Sequence, residues 1–72
     1  MYRNLIAELA RKGIRRKQLA EALGITSSTL YYRLQGHTGR DFTEPEKFYI
    51  CNMLGMEPTE EAYAYLFARY MG

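Results

Sequence analysis

A chain of 72 residues is expected to make one compact module, 1–72, too small for a separate effector or catalytic domain. Cys51 is the only cysteine and His37 the only histidine, which excludes an internal disulfide and a Cys/His zinc site. A net charge of +2 hides an asymmetry: residues 1–40 carry eight bases against Glu8 and Glu21, a formal +6, whereas residues 41–72 carry six acids against Lys47 and Arg69, a formal −4. The basic half is suited to a polyanion, although a merely solvated basic face has the same composition.

Leu5, Ile6, Leu9 and Ala10 recur at helical spacing and stop at Gly13, which predicts a first helix with Asn4, Glu8, Arg11 and Lys12 facing water. These charges also interrupt any signal-like stretch, and no run approaches the roughly 20 apolar residues of a membrane span, so a cytoplasmic location is expected. A second helix starts near Arg16, places Leu19, Ala20 and Leu23 on one face and ends at Gly24. Thr26 caps a third, with Leu30 and Leu34 as its buried ridge and Gly36 as its stop. Residues 37–41 read as a loop.

Thr43-Glu44-Pro45-Glu46 is a capping box opening a fourth helix, in which Phe48, Tyr49 or Cys51, and Leu54 continue until Gly55. Cys51 reads as a small buried hydrophobe. Met56-Glu57-Pro58 breaks the chain, and Thr59-Glu60-Glu61 restarts it. Residues 62–71 fit helical spacing through Tyr63, Phe67 and Tyr70, and strand alternation through Tyr63, Tyr65 and Phe67; the cap before them favours helix. The fold class is therefore all-α, a bundle of four to five short helices with a C-terminal helix or tail over 59–71.

Residues 16–35 form a unit with a helix, a glycine-centred turn and a second helix, which is helix-turn-helix geometry. Ala20 is small enough for the crossing and Gly24 takes the positive φ. Leu19, Leu23, Ile25, Leu30 and Leu34 supply the anchors. The string Arg16-Lys17-Gln18-Leu19-Ala20-Glu21-Ala22-Leu23-Gly24-Ile25-Thr26-Ser27-Ser28-Thr29-Leu30, followed by Arg33-Leu34-Gln35-Gly36, resembles the phage repressor and Cro-like domains of the lambda-repressor-like superfamily. The resemblance covers about residues 4–57. It departs at Arg33, which stands where many relatives place the last apolar anchor; here that anchor is Leu34.

The resemblance implies double-stranded DNA as partner, with the second helix of the pair in the major groove and the first across the backbone. Ser27, Ser28, Thr29, Tyr31, Tyr32 and Arg33 are then the base-contact candidates, Ser27, Ser28 and Tyr32 foremost. Arg15, Arg16, Lys17 and Gln18 at the start of the preceding helix, with Thr26, His37, Thr38 and Arg40, are the phosphate candidates. Tyr31 and Tyr32 have the alternative of packing sideways on the protein.

Phe42, Phe48, Tyr49, Tyr63, Tyr65, Phe67 and Tyr70 all fall after residue 41, which suggests a homodimer joined through the C-terminal third; the alternative is a monomer whose rings complete the core. The expected function is sequence-specific transcription regulation of phage or bacterial repressor or Cro type. A protein-interaction module on the same fold, an antirepressor or adaptor, is the competing reading. No catalytic constellation, metal site, cofactor or small-molecule pocket can be assembled from the sequence.

Overall fold

The computed structural model describes residues 1–36 and 41–68. Among these are five helices and no strand: α1 (Arg3–Arg11), α2 (Arg16–Leu23), α3 (Ser27–Gln35), α4 (Glu44–Met53) and α5 (Glu60–Leu66). The all-helical expectation holds, and the ambiguous C-terminal stretch is helical as far as Leu66. Residues 69–71 of the expected tail, Tyr70 among them, lie outside the described residues.

Each helix starts and stops where local chemistry dictates. Thr26, Thr43 and Thr59 accept the N–H groups of Thr29, Glu46 and Ala62, so the hydroxyls satisfy backbone donors that have no partner within the helix. The Glu46 carboxylate reaches back to the Thr43 N–H at 2.8 Å and completes the capping box. At the other end of α2, Gly24 takes φ +70, and the Ile25 N–H bonds the Ala20 carbonyl at 3.0 Å, which turns the chain sharply towards α3.

The core is built from Leu5 and Leu9 of α1, Leu19 and Ala20 of α2, Leu30 and Leu34 of α3, Ile50, Cys51 and Leu54 at α4, and Leu66 of α5, with Tyr2 and Phe42 from outside the helices. Burial pushes the Cys51 thiol up from its ordinary pKa, in keeping with a packing role. Three expectations about facing are corrected. Ala10 is exposed rather than part of the α1 stripe. Asn4 and Glu8 are half-buried instead of facing water: Asn4 Nδ2 donates to the Tyr65 carbonyl at 2.8 Å, and Glu8 accepts from the Tyr65 hydroxyl at 2.9 Å, tying α1 to α5. Phe48 points outward, because the buried side of α4 is set by Lys47, Ile50, Cys51 and Leu54 at helical spacing. Lys47 itself lies with its ammonium over the Phe67 ring.

Tyr2 is the tie that sequence reasoning missed. It precedes α1, is 1% exposed, and donates its backbone N–H to the Leu34 carbonyl at 3.0 Å. Its ring meets Phe67 edge-on at 5.5 Å and Phe42 at 6.0 Å, and its hydroxyl donates to Asp41 Oδ1 at 2.5 Å. Gly36, at φ +71, lies so close that a Cβ there would sit 3.3 Å from Tyr2 Cζ. Gly24 has the same backbone conformation with open space around it.

Both glycines therefore carry the left-handed strain on substitution, but only Gly36 adds a steric contact. Gly36→Ala is expected to lower unfolding stability by about 1–3 kcal/mol and Gly24→Ala by about 1–2. Equilibrium denaturation of both variants checks the order; equal losses would remove the steric term.

Candidate nucleic-acid interface

α2 and α3 stand on either side of a three-residue turn, Gly24-Ile25-Thr26, with Leu19, Ala20, Leu30 and Leu34 buried between them and the core. Half-buried Leu23 and Ile25 pack against that core. Because Leu30 and Leu34 take the inner side of α3, the helical period turns Ser28 and Tyr32 to the opposite side. Tyr31 and Ser27 flank them on one edge. All four are exposed, Tyr31 at 54% and Tyr32 at 43%, and the two tyrosine rings meet edge to face at 5.6 Å. Each ring is thus about half covered, packed sideways on the other while leaving the rest of its surface exposed.

The start of α2 is the cationic part. Arg15, Arg16, Lys17 and Gln18 are all exposed there, and neither α2 nor α3 has an acid in its first turn. By contrast, α4 and α5 carry Glu44 and Glu46, and Glu60 and Glu61, in theirs. Acids at those two N-termini offset the positive helix ends internally, whereas the ends of α2 and α3 remain open to an external anion. Gln18 Oε1 accepts the Arg15 N–H at 2.8 Å, so the oxygen is used in capping while its amide nitrogen is the end suited to a phosphate oxygen.

Three candidates have other employment. Thr26 caps α3, its Oγ1 accepting the Thr29 N–H at 3.1 Å and lying 3.0 Å from Thr29 Oγ1, so both threonines are occupied in building the helix start. Thr29 is also half-buried. Arg33 is withdrawn from the base-reading set: its side chain is 21% exposed, its Nη1 donates to the Asp41 carbonyl, and its Nε faces Glu46 Oε1 at 3.4 Å. The cause is its position one residue before Leu34, on the flank of the buried side, where the Asp41 carbonyl accepts one guanidinium N–H and Glu46 supplies opposite charge, while the buried Nε makes no hydrogen bond. His37, Thr38 and Arg40 lie outside the described residues.

Sequence reasoning missed Asp41 and Glu46, the residues that hold Arg33 in place. Asp41 accepts from Tyr2 and, through the same Oδ1, from the Phe42 N–H at 2.7 Å, so one residue fixes the chain as it returns to α4. The available signal was the arginine on a partly buried flank with two acids downstream.

Residues 3–36 match a family model described as bacterial regulatory protein, Fis family. These residues form a helix-turn-helix domain of the DNA-binding kind. The match begins at the first residue of α1 and ends at Gly36, so it covers α1 to α3 and leaves α4 and α5 outside. It supports the helix-turn-helix without pointing to the lambda-repressor-like superfamily that the sequence resembles. No curated protein and no solved structure matches the chain. Among the described residues, no helix is long and apolar enough to cross a membrane.

The withdrawal of Arg33 has a measurable consequence. Arg33→Ala is expected to lower stability by about 1–2 kcal/mol through loss of the Asp41 and Glu46 contacts. Affinities for different duplex sequences should fall in parallel. A variant of unchanged stability with an altered sequence preference would return Arg33 to the readers.

Proposed function

We propose that this protein is a sequence-specific DNA-binding transcription regulator of bacterial or phage repressor type, with α3 entering the major groove and the start of α2 clamping the phosphate backbone. The observation that carries the reading is the pairing of an exposed, uncharged reading side on α3 with an exposed cationic turn on α2. Ser27, Ser28, Tyr31 and Tyr32 are the base-facing set; Arg15, Arg16, Lys17 and Gln18 are the clamp. The formal +6 over residues 1–40 draws the duplex to this side, and the acidic charge of residues 41–72 keeps the remainder of the chain off it. His37, Thr38 and Arg40 follow α3 in sequence and extend the proposed phosphate set.

The protein acts as a homodimer on a two-fold site with half-sites about one helical turn, roughly 34 Å, apart. The aromatic residues divide in a way that narrows the contact. Phe42 is buried, Tyr63 and Phe67 pack together at 5.9 Å between ring centres, and Tyr65 is bonded to Glu8. Phe48 and Tyr49 of α4 remain outward at 51% and 46% exposed. They are the residues proposed to join two copies, and Tyr49 continues into a shallow groove with Ala22, Leu23, Pro45 and Glu46.

Selection from random duplexes followed by binding across a salt series tests the regulator reading. Lys17→Ala is expected to weaken all sequences alike and to reduce the slope of log affinity against log salt by about one, whereas Ser28→Ala changes which sequence is preferred. Equal affinity for random and selected duplexes at about 150 mM salt would overturn sequence-specific regulation. Failure to bind any duplex, with capture of a protein partner, would favour the interaction-module reading.

Light scattering tests the assembly separately. The wild type is expected at the mass of two chains, alone or on its site, and Phe48→Glu at the mass of one. A wild-type mass of one chain in both conditions would overturn the dimer.

A further inference from the structure

We infer that the α3 surface recognises pyrimidine C5-methyl groups in the major groove, through the rings of Tyr31 and Tyr32. The inference rests on the reading that α3 enters that groove, and it names the chemistry read there.

The argument begins with what the outward side of α3 lacks. Direct readout of guanine uses arginine or lysine, and readout of adenine uses the amide of asparagine or glutamine. The helix sequence is Ser27-Ser28-Thr29-Leu30-Tyr31-Tyr32-Arg33-Leu34-Gln35. Its one cation, Arg33, is bound to Asp41 and Glu46. Its one amide, Gln35, is half-buried at the last position, away from the N-terminal end that reaches base edges in this geometry. Thr29 is occupied with Thr26.

The exposed outward side chains are two serines and two tyrosines, so this side presents four hydroxyls, two of them at the tips of aromatic rings. The hydroxyls pair with donors or acceptors alike and discriminate weakly. The rings are the largest exposed apolar surface on the helix, and their edge-to-face contact at 5.6 Å holds them as one patch. The apolar feature that a base pair offers in the major groove is the C5-methyl group of thymine. A methyl on C5 of cytosine presents the same group. Charge complementarity brings this patch to DNA, since the exposed cations of Arg15, Arg16 and Lys17 belong to the helix packed against α3.

The test uses the duplex recovered by selection from random DNA, synthesised with thymine and again with uracil at each thymine position in turn. A second series places 5-methylcytosine at each cytosine of the site. Wild-type protein is expected to lose about fourfold in affinity for each contacted methyl removed, the effect of withdrawing one buried methyl group from apolar contact. A 5-methylcytosine that restores affinity at a position where cytosine has replaced a contacted thymine would identify the methyl group itself as the feature read.

The double variant Tyr31→Ser/Tyr32→Ser, at two exposed positions, is expected to bind the thymine and uracil duplexes with nearly equal affinity, and each single variant to lose part of the discrimination; thermal melts confirm that the variants are folded. Equal wild-type affinity for the two duplexes would overturn the inference and leave DNA binding standing. Undiminished discrimination in the double variant would overturn the assignment to the tyrosines. Failure of the selection to recover any duplex would remove the DNA reading, and this inference with it.

Discussion

The contact on which the arrangement depends is made by Tyr2, a residue outside any helix. Its ring fills the space among Gly36, Phe42 and Phe67, its backbone holds the end of α3, and its hydroxyl holds Asp41. Asp41 and Glu46 in turn hold Arg33. The C-terminal end of the proposed recognition helix is thus bound by the N-terminal segment, by the chain entering α4 and by α4 itself. A short helix is marginal alone and takes its stability from tertiary packing. Here that packing anchors α3 through Leu30 and Leu34 and adds these ties at its C-terminal end, which leaves Ser27, Ser28, Tyr31 and Tyr32 exposed without loosening the helix.

The same division appears in the charges. Acids in the first turns of α4 and α5 complement the helix dipoles within the protein, while α2 and α3 have none. Stability alone would be served by an acid at every helix start. Cations at the start of α2 give up that local gain, and the side they occupy is the one an external polyanion would complement. The family match covers this basic segment and ends where α3 ends.

Much of the fold was legible because its signals are local. Thr26, Thr43 and Thr59 before polar or acidic turns mark helix starts, and Gly24 and Gly36 mark ends, so the boundaries follow from short-range hydrogen bonding and from the backbone freedom of glycine. What was not legible is set by residues far apart in sequence. Tyr2 is linked to Asp41 over 39 positions and Asn4 to Tyr65 over 61, and no periodicity announces such pairs. Phe48 was misassigned because several apolar stripes can be drawn along α4, and only the neighbouring helices select the one through Ile50, Cys51 and Leu54. For the site, the resemblance implied outward positions for Ser28 and Tyr32, and the start of α2 one for Lys17, whereas the withdrawal of Arg33 depends on acids eight and thirteen residues later.

The loss of Arg33 from the reading side changes what kind of DNA recognition the proposed function requires. An arginine bonded twice to guanine discriminates strongly by itself, whereas the hydroxyls and rings of two serines and two tyrosines do so only weakly. The proposed clamp would add affinity that is nearly indifferent to sequence. Under the proposed function, a single copy with this chemistry would bind DNA broadly and prefer its site modestly. Discrimination then has to come from repeating the weak reading over two half-sites, from sequence-dependent groove shape, or from both. The outward Phe48 and Tyr49 bear on the first of these routes: a dimer adds the reading of a second copy without any stronger contact by the first, and the fixed spacing of its two recognition helices becomes part of what is recognised.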